Sequence, residues 1–83
     1  MDINPTQLTE QVHALLAEAL QVPHEAVTDG LGFGDLPEWD SMGHMEVMVL
    51  LEERYGVEIS ADTIANLTSV EGILAYLKEN GHA

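Results

Sequence analysis

Apolar positions recur at helical spacing in three long stretches and one short one, separated by segments that break the period. In the first stretch Leu8, Val12, Leu15, Leu16 and Ala19 follow the i, i+4, i+7, i+8, i+11 pattern of one buried stripe. Asn4 suits the N-cap, Pro5 the first helical position and Gln7 the capping-box position. Ile3 and Leu8 have the spacing of a hydrophobic staple. Pro23 disfavours helix in the residue before it, so this helix is expected to end near Gln21. Residues 23–39 have no helical period and contain Pro23, Gly30, Gly32, Gly34 and Pro37. They read as a loop with a single turn around His24 to Val27. Loops of this length in small domains are uncommon and often functional, although a packed crossover without activity fits equally. Leu31, Phe33, Leu36 and Trp39 are expected to pin the loop onto the helices.

The second helix is predicted over Ser41 to Tyr55, with Asp40 as N-cap and Gly56 at the left-handed C-terminal position. A short third helix starts at Ser60 and carries Ile64 and Leu67. The last opens on Thr68-Ser69-Val70-Glu71, which reads as a capping box. Its stripe is Val70, Ile73, Leu74 and Leu77, and Gly81 ends it. No alternating apolar run is long enough for a sheet. The pattern predicts an all-α fold: a small four-helix bundle of three main helices and one short one, with a long loop between helices 1 and 2. Residues 1–83 form one domain on this reading.

The second helix has two apolar faces. With Leu51 as reference, His44, Val47, Met48 and Tyr55 lie within about 60° and form the core face. Met42, Met45 and Val49 lie roughly 120° to 180° away, flanked by Glu46, Glu52 and Glu53. An exposed methionine stripe adapts to several partners. Carboxylates around it supply steering. The alternative is a helix buried on both sides under the long loop. Ser41 opens this helix. Asp40 already explains the cap, which leaves Ser41 free beside the unpaired N–H groups and positive dipole end.

Charge narrows the function. Fifteen acidic residues face two basic ones, a formal net charge of −13. That excludes phosphate-backbone recognition and attraction to anionic membrane surfaces, and favours partners with basic surfaces. Self-repulsion on this scale implies that salt or divalent cations stabilise the fold. The chain has no cysteine, which excludes disulfide scaffolds, zinc ribbons and thiol nucleophiles of its own. Met1-Asp2-Ile3-Asn4-Pro5 does not read as a signal peptide, and the longest apolar run, Val47 to Leu51, is far short of a membrane span. These features point to a soluble cytoplasmic monomer, and the Met1 start and capped first helix favour a free-standing protein.

Asp40-Ser41-Met42 resembles the Asp-Ser-Leu signature of the acyl carrier protein family, with Met in place of Leu. The stretch from Met45 to Ile59 is similar to that family's second helix and its exit, with Leu51-Glu52-Glu53, Tyr55-Gly56 and Glu58-Ile59 in register. Leu67-Thr68-Ser69-Val70 resembles the approach to its last helix, and the likeness extends over nearly the whole chain. The resemblance implies that a phosphopantetheinyl transferase attaches 4′-phosphopantetheine from coenzyme A to Ser41. The terminal thiol of that arm would hold an acyl or aminoacyl group as a thioester, which fits a chain without cysteine. It further implies that Asp40 helps organise modification, and that Met42, Met45, Glu46, Val49, Glu52 and Glu53 form the docking surface. The implied partners are the transferase, an acyl- or aminoacyl-loading enzyme, and ketosynthase, transferase or condensation-type enzymes with basic docking surfaces. The helix bundle is also a candidate shelter for a bound acyl chain. Two departures stand out. Gly43, followed by His44, occupies the place where fatty-acid carriers often have a second aspartate. Trp39 in Glu38-Trp39-Asp40-Ser41 looks more like discrete carriers and carrier modules of polyketide, peptide or D-alanine transfer pathways.

Other chemistries fit less well. Ser41 and His44 are three residues apart, yet share one side of a helix only loosely, and no third member or oxyanion site accompanies them. His13, His24, His44 and His82 match no usual metal spacing and read as solvated surface residues. The segment from Asp29 to Asp35 lacks both the ligand spacing of an EF-hand and the Lys-Ser/Thr ending of a phosphate loop. The rival from another class is an unmodified acidic helical module that binds a basic partner through the same Met/Glu face.

Overall fold

The computed structural model describes residues 5–80. It contains α1 (Pro5–Leu20), a single 3₁₀ turn (His24–Ala26), α2 (Ser41–Tyr55), α3 (Ala61–Asn66) and α4 (Val70–Glu79). The all-α bundle of three main helices and one short one is the fold that the apolar spacing predicts. Ile3, Asn4 and Gly81, the expected staple, cap and stop residues, lie outside the described residues, as does His82.

The three long helices bury most of the stripe that their sequences set apart, whereas α3 buries Thr63, leaves Ile64 partly exposed and ends before Leu67. Leu8, Val12, Leu15 and Leu16 of α1 meet Val47, Met48 and Leu51 of α2, with Val70, Ile73 and Leu77 of α4 completing the core. Leu74 and Tyr55 are only partly buried at its edge. Burial of each large aliphatic side chain contributes roughly 1.5–3 kcal/mol, and these contacts carry most of the fold.

Three local details depart from the sequence reading. First, α1 stops at Leu20 because Gln21 adopts the left-handed conformation, φ 58°, and the Val22 amide donates to the Ala17 carbonyl at 3.0 Å. Pro23 stands two residues beyond this left-handed stop, which puts the end of α1 within one residue of the expected place. Second, the cap of α4 is Ser69, whose side chain accepts from the Gly72 amide at 2.9 Å. The Thr68–Glu71 capping box does not form: two consecutive hydroxyl residues compete for the cap, and the second wins. Third, of the four apolar loop residues, Trp39 and Leu31 are buried and Leu36 is partly buried, but Phe33 stays exposed. The helix limits at α2 are as expected, with Gly56 in the left-handed conformation at φ 69° after Tyr55.

The loop from 27 to 40 is tied down at both sides. The Phe33 amide donates to the Thr68 carbonyl at 2.8 Å, and the Val70 amide to the Leu31 carbonyl at 3.0 Å. These two bonds form an isolated antiparallel bridge, Gly32 to Ser69, at the start of α4. Asp35 closes the turn between them by accepting from the Gly32 amide at 2.8 Å. The loop therefore has a fixed course that delivers Trp39 and Asp40 to the start of α2.

Candidate functional site at the start of helix α2

Asp40 has extended backbone and its carboxylate accepts from the Gly43 amide at 2.9 Å, which fills the cap. Ser41, the next residue, is exposed, and its hydroxyl has no hydrogen-bond partner among the described residues. The expectation that the cap leaves Ser41 free thus holds in the geometry. Beside it opens a cleft of about 350 Å³ lined by Phe33, Ser41, His44, Met45, Ile64 and Thr68. The lining comes from the loop, α2, α3 and the start of α4, so the site exists only in the assembled fold. It is mostly apolar, with the Ser41 hydroxyl at its rim.

Gly43 has a steric reason. A Cβ built there would lie 2.1 Å from the Glu38 carbonyl oxygen and 3.0 Å from Leu20 Cδ2. No side chain fits while the loop keeps its course, so this loop path and an aspartate at position 43 are incompatible. What looks in sequence like a missing acidic contact is a close approach of two backbones.

His44 is 4% exposed, as its place on the core face of α2 predicts, and is not the solvated surface residue that the histidine spacings suggest. Its Nδ1 accepts from Trp39 Nε1 at 3.1 Å, and its Nε2 lies 2.8 Å from the Ile64 carbonyl. With both nitrogens engaged elsewhere, it has no lone pair to offer Ser41 as a base. His13 places Nε2 3.0 Å from Asp29, with its ring 5.9 Å from that of His24. No group of three or more such side chains among the described residues could hold a metal ion.

The outer face of α2 is as its period implies. Met42 is 81% exposed and Met45 43%, Val49 is partly buried, and Glu46, Glu52 and Glu53 are exposed. The alternative of burial on both sides does not hold. At the far end, Arg54 hydrogen-bonds Glu18 and holds that carboxyl below its ordinary range, while Glu18 raises Arg54 in turn. Burial pushes the Tyr55 phenol up. Sequence reasoning missed Phe33, Ile64 and Thr68 as cleft residues and the Trp39–His44 bond. A tryptophan directly before the motif and a histidine on the core face were the available signals for that bond.

The phosphopantetheine attachment site family matches residues 10–77. An acyl carrier protein of Thermosynechococcus vestitus is 31% identical over 90% of this chain and 93% of its own length. The chain belongs to the phosphopantetheine-dependent acyl carrier family. An acyl carrier protein of Helicobacter pylori is 32% identical over 88% of this chain and 94% of its own length. The polyketide-8 synthase acyl carrier protein 2 of Streptomyces avermitilis is 33% identical over 82% and 78%. The protein is thus an acyl carrier with a covalently bound 4′-phosphopantetheine group, and carriers of this family work with biosynthetic enzymes. The chemistry of the α2 start fits that group: an accessible, unbonded hydroxyl beside an apolar cleft with room for an arm. No described helix is long and apolar enough to cross a membrane.

Proposed function

We propose that Ser41 is the attachment residue and that the protein is a non-catalytic carrier for a specialised biosynthetic pathway. The observation that carries this reading is the Ser41 hydroxyl, exposed and unbonded next to a cap that Asp40 already fills. The bound group supplies a terminal thiol that holds an acyl or aminoacyl chain as a thioester. Ser41 would provide the ester oxygen, and the first amides of α2, at the positive end of the helix dipole, would favour the phosphate. Asp40 keeps that turn in shape through Gly43. The arm raises the effective concentration of cargo at each partner enzyme.

Docking falls to the outer face of α2. Met42, Met45 and Val49 supply apolar contact, and Glu46, Glu52 and Glu53 meet basic partner surfaces. Trp39 and Gly43 support a polyketide, nonribosomal peptide or related pathway over housekeeping fatty-acid synthesis. The partners are then a phosphopantetheinyl transferase, a loading enzyme, and ketosynthase, transferase or condensation-type enzymes. Strong like-charge repulsion supports a monomer, and the composition suits the cytoplasm. Residues 1–83 act as one carrier domain.

The test is intact mass after incubation with coenzyme A and a promiscuous phosphopantetheinyl transferase. The expected result is a gain of one phosphopantetheine that Ser41→Ala abolishes without loss of fold. No gain, with a cognate transferase also tried, would leave an unmodified acidic interaction module as the better reading. Replacing Glu46 and Glu53 by Lys should slow the same reaction and flatten its salt dependence; unchanged turnover would move the docking face elsewhere.

A further inference from the structure

We propose that His44 is a positioning residue for Ser41 that works only as the neutral imidazole. It holds the loop and α3 on either side of the cleft, and a second proton breaks its tie to the loop. The proposal rests on the reading of Ser41 as the modified residue.

The donor and acceptor roles are forced. An indole N–H donates and cannot accept, so His44 Nδ1 must carry the lone pair that faces Trp39 Nε1 at 3.1 Å. The ring proton of the neutral form then sits on Nε2 and is donated to the Ile64 carbonyl at 2.8 Å. Ile64 lies in the last turn of α3, where a helix leaves carbonyls without partners of its own. Thus one buried ring fastens two neighbours to α2. Trp39 precedes Ser41 by two residues, and Ile64 lines the cleft beside it. The Phe33 ring meets His44 edge-on, with centroids 5.7 Å apart.

A second proton can bind only at Nδ1, and there it would point at the indole N–H. Protonation and the Trp39 bond exclude each other. The ring borders the cleft, so a proton has a path to it. No compensating anion stands ready. The acidic groups on the surrounding segments are Asp35, Glu38 and Asp40 of the loop, Glu46 of α2, Glu58 before α3, Asp62 of α3 and Glu71 of α4, all exposed. Asp35 and Asp40 already accept from the Gly32 and Gly43 amides. On α1, His13 and Glu18 are close to Asp29 and Arg54. None of these lies within ion-pair distance of the His44 ring.

The test follows the 83-residue chain from about pH 8 to about pH 5.5. Trp39 is the chain's only tryptophan, so its emission reports the bond directly. His44→Asn keeps an acceptor near the Nδ1 position but does not titrate. The rate of phosphopantetheine transfer is taken as the ratio of wild type to His44→Asn, which cancels the transferase's own pH dependence. Wild-type emission is expected to shift to the red on acidification and that of His44→Asn to stay fixed. The rate ratio is expected to be highest near pH 8 and to fall about tenfold at the acid end, the size expected for one lost buried hydrogen bond. Parallel profiles in the two proteins, or a wild-type emission that ignores pH, would overturn the proposal. If His44→Asn does not fold by circular dichroism, Trp39→Phe replaces it in the rate assay. It removes the indole donor, and the same fall in the ratio is required. If wild type takes up no phosphopantetheine at any pH, the reading of Ser41 fails too, and this differs visibly from modification with parallel profiles.

Discussion

At its C-terminal end α2 is tied to α1 from outside. Arg54 Nη2 donates to Glu18 at 2.5 Å and the Tyr55 hydroxyl to Gln11 at 3.0 Å, both at exposed sites. At its N-terminal end the ties run through the interior: Trp39 to His44, His44 to Ile64, and the Glu38 carbonyl against Gly43. Long charged side chains at a surface are weakly held and screened by salt. Buried bonds and backbone contacts are stiff. The end that offers Ser41 is therefore fastened beneath its surface, which leaves the outside of that end free for other molecules.

Gly43→Ala should break this arrangement most severely. Alanine normally stabilises a helix interior by about 1 kcal/mol over glycine. Here its Cβ would meet a backbone carbonyl at 2.1 Å, so the loop must give way and the sign reverses. A net loss of roughly 1–3 kcal/mol in urea melts is expected, with altered Trp39 emission. A gain in stability would mean that the loop course is not fixed.

A smaller effect is expected from screening. With a net charge of −13, added salt or magnesium should raise the melting temperature. A flat titration would contradict the claim that self-repulsion burdens the fold. The smallest effect belongs to Glu18→Gln at the far end. Hydrogen bonding to Arg54 lowers the Glu18 pKa, so its contribution is present above the unfolded value and lost as pH falls through the folded one. Because the pair is exposed, Glu18→Gln should barely change the melting temperature at neutral pH. A large loss would show that the outer clamp matters as much as the inner one.

Much of this was legible in the sequence, and what was not has a physical reason. The limits of α2, its two apolar faces and the freedom of Ser41 follow from short-range rules: a cap, a left-handed glycine and a period of 3.6. The His44–Ile64 bond joins residues 20 apart, and no local rule pairs them. The requirement for glycine at 43 depends on where the Glu38 carbonyl lies, which the loop's bridge to α4 determines. Phe33 was expected inside by hydrophobicity alone, but that bridge fixes its neighbours and leaves its ring at the cleft rim.

The Arg54–Glu18 pair has one more consequence. The chain has only two basic side chains, Arg54 near the end of α2 and Lys78 near the end of α4. Arg54 stands about 20 Å along the helix from Ser41, at 1.5 Å per residue. Negative charge along α2 is therefore uneven, partly cancelled at the far end and uncancelled near Ser41. Arg54 thus tempers the pull of a basic surface at the far end, while Asp40 and Glu46 near Ser41 have no cation of the same helix beside them to temper theirs.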